Sequence, residues 1–232
     1  MSINGFQKLT LLDFPGHVAC TVFFGGCNLR CPFCHNALLV TETEEIEEIS
    51  EEDVLSVLRK RKGILDGVAI TGGEPLLQKN IRDFILKVRA LGYSVKLDTN
   101  GTFPEKLKAL VSEGLIDYVA MDVKNSREKY SLTTGASHVD LDAVSKSIAF
   151  LLENHVPYEF RTTVVNEFHT EEDIEKIAGW IRGAEKYFLQ DFKDSGELIG
   201  SEEMSSVGKA RLIRMRELAA PFVKEVQIRG VD

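Results

Sequence analysis

Long apolar runs are missing from this sequence of 232 residues, and none approaches the roughly 20 residues a helix needs to cross a bilayer. Positive charge is in deficit, with 28 Lys and Arg against 36 Asp and Glu and a formal charge of −8. Sequence-independent nucleic-acid binding rests on neutralising phosphates, so this balance argues against it, as it does against an anionic membrane surface. Cysteine is scarce. Four in the chain make no disulfide scaffold, and three of them, Cys27, Cys31 and Cys34, fall within eight positions, the spacing of a metal centre. Residues 1–10 hold neither a long apolar run nor a small-residue cleavage site, so no secretory signal is expected there and a reducing cytoplasm is the expected compartment. No linker rich in Pro, Gly or Ser interrupts the chain, and 44% of residues are hydrophobic, so residues 1–232 are expected to share one core as a single domain.

What the sequence does contain is a repeated alternation. Segments 18–24, 67–71, 94–98, 117–123, 158–165 and 187–192 read as buried strands, and 223–228 as a terminal one. Between them apolar residues recur at helical spacing, for example Ile81, Phe84, Ile85 and Val88, or Ile174, Ile177, Ala178 and Ile181. The boundaries are marked as well: Ser50 with Asp53 and Thr170 with Asp173 can cap helices, Pro104 suits a first helical position, and Gly92 and Gly114 suit helix stops. The acidic run 42–53 reads as a solvated approach to a helix. Strands alternating with helices pair in parallel through crossovers, and about six such units are too few for a closed eightfold barrel.

Polar residues gather at the carboxyl ends of these strands, where parallel α/β folds bind ligands. The most distinctive group is the loop Cys27-Asn28-Leu29-Arg30-Cys31-Pro32-Phe33-Cys34. Three thiolates so spaced can wrap one corner of an iron–sulfur cubane and leave its fourth iron open to a small molecule. Structural zinc with His35 or Cys20 as a fourth ligand is the other reading, although zinc sites more often come as two separated pairs. Cys20, inside an apolar strand, reads as a core cysteine; His35 reads equally as a neighbour of the centre or as a loop residue. Gly72 and Gly73 follow a strand directly and let backbone approach a ligand closely. Asp98 and Asp122, facing one site, should repel unless positive charge lies between them. Lys124 can serve a ligand or simply pair with Asp122. Arg161, among strand-forming neighbours, must be paired or face a cavity.

The cysteine loop resembles the signature of the radical S-adenosylmethionine (SAM) enzymes. The longer stretch, from Thr10-Leu11-Leu12-Asp13-Phe14-Pro15-Gly16 to Cys34-His35-Asn36, is similar to the activating enzymes of glycyl-radical proteins, above all to the anaerobic ribonucleoside-triphosphate reductase activating proteins. The resemblance covers nearly the whole chain and thins beyond Arg161. It implies a partial, open parallel (β/α)6 barrel with a lateral mouth. It implies that Cys27, Cys31 and Cys34 hold a 4Fe–4S cluster, and that SAM is bound by Gly72, Gly73, Glu74 and Pro75 at its amino group. Asp98, Thr99, Asn100 and Asp122 would line the same ligand, with a monovalent cation at Asp98 and Asp122. Lys124 would meet the SAM carboxylate, Arg161 would point toward SAM, and Phe33 would pack near the adenine. Asp13 would lie near the glycine loop of the substrate. The implied reaction is reductive cleavage of SAM and removal of a glycine α-hydrogen from a partner enzyme. That partner would be an anaerobic ribonucleotide reductase, and an external donor such as flavodoxin or ferredoxin would supply the electron.

Three departures stand out. Phe14 replaces a glycine common in the activase turn, the segment Leu189-Gln190-Asp191-Phe192 lacks a histidine some relatives place there, and there is no second cysteine cluster. An activase of the pyruvate formate-lyase type, or a small-molecule enzyme such as a deazapurine synthase, would share the SAM residues. A simple electron-transfer module would leave the Gly72 and Asp98 motifs without purpose.

Overall fold

Strands that are apolar on both faces need cover on both, which a parallel sheet with crossover helices provides. The computed structural model describes residues 1–194 and 196–231 and contains one eight-stranded sheet whose strands lie side by side in chain order. β1 (Ile3–Thr10) runs antiparallel to β2 (Ala19–Phe24). From β2 the sheet continues in parallel through β3 (Gly67–Gly72), β4 (Ser94–Thr99), β5 (Tyr118–Asp122), β6 (Tyr158–Val164), β7 (Lys186–Asp191) and β8 (Glu225–Arg229). β1 and β8 do not pair, so the sheet stays open. The six expected units run over β2–β7; β8 adds a further parallel strand, and β1 an antiparallel edge that the periodicity did not announce.

The helices are α1 (Ala37–Thr41), α2 (Glu51–Lys60), α3 (Ile81–Ala90), α4 (Pro104–Ser112), α5 (Tyr130–Thr134), α6 (Leu141–Leu152), α7 (Glu171–Trp180) and α8 (Lys209–Ala219). Their starts follow the expected chemistry. The Ser50 hydroxyl accepts the Asp53 N–H at 3.1 Å, and Thr170 and Asp173 form a reciprocal capping box. Pro104 opens α4. Such caps contribute about 1 kcal/mol each. No helix among the described residues is long and apolar enough to cross a membrane.

Side chains alternate across each strand, and this decides where the polar ones go. Cys20, Val22 and Phe24 of β2, Val95 and Leu97 of β4, and Val119 and Met121 of β5 join the core under the helices. The alternate positions, Thr21, Lys96, Asp98, Tyr118, Asp122 and Arg161, therefore share the inner face. Phe14 closes the amino end of that face: it clusters with Ala19 and Tyr118, and it lies so near Gly67 that a Cβ there would come within 2.7 Å of its ring.

Candidate active site

The carboxyl ends of the parallel strands surround a cavity of about 250 Å³. Its wall includes Cys27, Cys31 and Cys34 together, with Phe33 between them in the same loop. That loop is pinned by backbone bonds rather than by regular structure: Gly26 N–H donates to Leu39 C=O at 2.8 Å, Arg30 N–H to Thr134 C=O at 2.9 Å, and Cys34 N–H to Cys31 C=O at 3.0 Å. The Cys27 sulfur receives the Leu29 amide at 3.4 Å and the Asn100 side-chain amide at 3.8 Å. Burial raises all three thiols, Cys31 to about 12, so each needs a metal to become a thiolate at neutral pH. Among the described residues no three His, Cys, Asp or Glu side chains are gathered tightly enough to grip a single ion. The cysteines instead stand around a shared volume, a donor set that fits a multi-iron cluster. Cys20 takes no part: it is fully buried under the helices, and burial pushes its thiol up to about 12. His35 lines the cavity, its ring 5.7 Å from that of Phe192.

Gly72 and Gly73 do line the cavity, but the packing demands them for a reason the sequence did not suggest. A Cβ on Gly73 would stand 2.0 Å from the Gly26 carbonyl oxygen and 3.2 Å from Cys27 Cβ. A Cβ on Gly72, whose φ is +121°, would stand 2.3 Å from the Phe24 carbonyl oxygen. The end of β3 is thus pressed against the root of the cysteine loop. Gly73 N–H donates to Phe24 C=O at 2.9 Å, Glu74 N–H to Gly26 C=O at 2.8 Å, and Asn36 Nδ2 to Gly72 C=O at 2.8 Å.

Glu74 and Pro75 were expected at the ligand and are not on the cavity wall. Both are buried, Pro75 at the start of a short 3-10 turn, Pro75–Leu77. The Glu74 carboxylate accepts the Leu76 amide at 3.0 Å, the Asn100 amide at 2.7 Å and the Thr99 hydroxyl on both oxygens. It ties the loop after β3 to the loop after β4, while burial raises its carboxyl to about 7. Glu74→Gln leaves one amide donor unpaired whichever way the new side chain turns. Its expected cost is about 1–3 kcal/mol, read as a lower urea midpoint at unchanged slope.

The charged residues of the inner face form an alternating row. Lys96 bonds Asp98 Oδ1, Arg161 spans Asp98 Oδ2 at 3.3 Å and Asp122 Oδ1 at 2.8 Å, and Lys124 meets Asp122 Oδ2 at 3.0 Å. Burial alone would raise both carboxyls, but Arg161 with Lys96 holds Asp98 below its usual range, and Arg161 with Lys124 holds Asp122 well below. Arg161 thus supplies positive charge between the two carboxylates, which the sequence left to a cation. Three cations against two carboxylates leave one positive charge, suited to an anionic group of a ligand in the cavity. Thr99 and Asn100 complete this wall.

Phe33 lines the cavity and packs its ring 5.8 Å from Phe168 and 6.4 Å from His169. His169, almost fully buried, donates from Nε2 to the Lys124 carbonyl at 2.8 Å and accepts the Val165 amide on Nδ1 at 3.1 Å. It thereby fixes the loop carrying Lys124 against the one that supports Phe33. Asp13 is not on the cavity wall. It follows β1, and its carboxylate accepts the Thr21 hydroxyl at 2.5 Å on the inner face.

Sequence reasoning gave no role to Lys96, Thr163 or Asn36 and left the contacts of Gln190 open; all four bond to or line the cavity's polar wall. The period-two rule would have found the first two. Lys96 stands two before Asp98, Thr163 stands two after Arg161, and Thr163 is in register with Gln190 on β7.

The model of the radical SAM superfamily matches residues 21–181. A Methanocaldococcus jannaschii protein, provisionally named a glycyl-radical enzyme activating enzyme, is 32% identical over 242 residues, covering 99% of this chain and 96% of its own. The pyruvate formate-lyase 1-activating enzyme of Escherichia coli K12 is 28% identical over 225 residues, covering 93% of this chain and 81% of its own. Among solved structures, Streptococcus suis SuiB bound to S-adenosylmethionine superposes with a TM-score of 0.68 at 15% identity over 90% of this chain. The chain spans about half of that structure, 52%, and the likeness is one of fold.

Proposed function

We propose that this chain, which belongs to the radical SAM superfamily and within it to the activating enzymes of glycyl-radical enzymes, installs the glycyl radical of an anaerobic ribonucleoside-triphosphate reductase. The family's cofactors are a 4Fe–4S cluster and SAM. When bound, the reduced cluster supplies the electron that cleaves SAM to methionine and a 5′-deoxyadenosyl radical, which removes a hydrogen atom from a glycine α-carbon. In this reading Cys27, Cys31 and Cys34 hold the cluster. Gly72 and Gly73 present backbone to the SAM amino group, and Lys124 and Arg161 carry the surplus positive charge that receives its carboxylate. Asp98, Asp122, Thr99 and Asn100 set the polar wall, and with Lys96, Arg161 and Lys124 on both carboxylates no further cation is needed there. Phe33 offers a flat apolar surface to the adenine.

The observation that carries the reading is the open sheet. β1 and β8 do not pair, so the sheet does not close around the cavity, which suits an entering peptide loop better than an enclosed small metabolite. The choice of reductase rests on the resemblance around Asp13–Gly16. A reduced flavodoxin or ferredoxin in a cytoplasmic setting fits the need for an external electron.

Asp13 is proposed to meet the entering glycine loop, accepting a backbone amide in a contact of roughly 1.5–3 kcal/mol. Reduced protein is expected to convert SAM to methionine and 5′-deoxyadenosine. Asp13→Asn should leave that uncoupled cleavage near wild type and lower activation of the reductase about tenfold or more. Equal loss of both activities would remove Asp13 from the substrate path.

A further inference from the structure

Among the described residues one buried side-chain polar atom lacks a hydrogen-bond partner, the hydroxyl of Tyr130. Tyr130 is fully buried at the start of α5, its ring edge-on to Trp180 at 5.9 Å. Buried hydroxyls are rarely left unpaired, because removing them from water is costly. The surroundings indicate what it awaits. α5 lies against the cysteine loop: Thr134 C=O accepts the N–H of Arg30, the residue before Cys31, at 2.9 Å. Gly135 sits so close that a Cβ there would come 2.3 Å from the Arg30 carbonyl oxygen. Tyr130 is one turn back along this helix, with Lys124, Cys31 and Asp122 as its electrostatic neighbours.

The other groups nearby are already engaged. The Lys124 ammonium is on Asp122, its carbonyl receives His169, and its amide lies near the phenol. Burial pushes the phenol's pKa up, so it keeps its proton and has a hydrogen to donate. A thiol sulfur is a weak acceptor, whereas a thiolate is a strong one.

We propose that Tyr130 is a positioning residue for the cluster, its hydroxyl donating to the Cys31 sulfur once that sulfur is an iron-bound thiolate. The inference rests on Cys31 being a cluster ligand. Reduction adds negative charge that spreads onto the ligand sulfurs, so a donor there favours the reduced state and raises the cluster's potential.

The test uses the full chain, reconstituted anaerobically without SAM, and reads the midpoint potential by titration monitored with electron paramagnetic resonance. Tyr130→Phe should keep its iron and shift the potential downward. At the wild-type midpoint the reduced-to-oxidised ratio should fall roughly five- to tenfold, because the potential reads only the part of the hydrogen bond that strengthens on reduction, less than the full weight of a bond to a charged acceptor. Placing 3-fluorotyrosine at position 130 makes the hydroxyl a stronger donor and should shift the potential upward. An unchanged potential in Tyr130→Phe at full iron content overturns the proposal and leaves the cluster assignment standing. If Tyr130→Phe loses iron, the fluorinated protein decides: a raised potential supports the bond, and an unchanged one overturns it. Wild-type protein that takes up no iron would instead refute the cluster assignment.

Discussion

Alanine at Cys27, Cys31 or Cys34 is expected to leave the anaerobically reconstituted protein colourless, where the wild type should carry about four irons per chain and be brown. The effect is close to all-or-none because nothing can replace a missing thiolate. The chain has one other cysteine, and Cys20 points into the helix-side core with no exposed surface. Cys20→Ala should therefore keep its iron and lose only packing, about 1–2 kcal/mol for a small buried deletion. Iron analysis beside the visible spectrum checks each variant. Stoichiometric zinc in place of iron, or loss of iron in a folded Cys20→Ala protein, would overturn the ligand assignment.

Gly73→Ala is the second large effect, and it separates the packing role of this glycine from a role confined to SAM. The added methyl would overlap the Gly26 carbonyl oxygen, which is backbone and cannot swing aside. The end of β3 must then part from the cysteine loop, straining the bonds from Gly73 N–H to Phe24 and from Glu74 N–H to Gly26. With one or two bonds of about 1 kcal/mol lost, the Kd for SAM should rise roughly tenfold or more, and iron retention should fall with it. Gly92→Ala is the control. Its φ of +88° makes alanine costlier for the backbone there than at Gly73, whose φ is not positive, but nothing stands within 4 Å of the new Cβ, so SAM affinity and iron content should not change. Equilibrium dialysis with SAM and iron assay read both. A Gly73→Ala protein with wild-type affinity and full iron would show that the close approach is not needed.

Much of this geometry is legible in the sequence, for reasons that differ by residue. Ser50, Pro104 and Thr170 mark helix starts because capping is a local interaction, and the strands β2–β7 announce themselves because both their faces are buried. β1 escapes notice because an edge strand need not be apolar: Gln7, Lys8 and Leu9 are exposed, and its partner is chosen by tertiary pairing with β2. The cysteine spacing announces a metal centre, and the family resemblance narrows it from zinc or iron–sulfur to a 4Fe–4S cluster. Glu74, by contrast, sits in a motif that suggests a ligand contact, yet its carboxylate is spent on Asn100, Thr99 and Leu76, partners that only the folded chain brings together. That Arg161 is paired and that positive charge separates Asp98 from Asp122 are both expected from sequence, but that Arg161 itself bridges the two carboxylates appears only when β6 brings it between them. Phe14 looks like a departure in sequence and becomes a floor in three dimensions, packed on Tyr118 and above Gly67.

The central claim is that this protein places a radical on a glycine of another protein. The measurement closest to it is electron paramagnetic resonance of a mixture of reduced enzyme, SAM and the anaerobic ribonucleotide reductase of the same organism. The predicted result is the doublet of a glycyl radical that appears as SAM is consumed, and that is absent with any of the three cysteine-to-alanine variants. Active cleavage of SAM with a silent spectrum would reject this reductase as the partner, and silence with every glycyl-radical enzyme of the organism would contradict the claim itself.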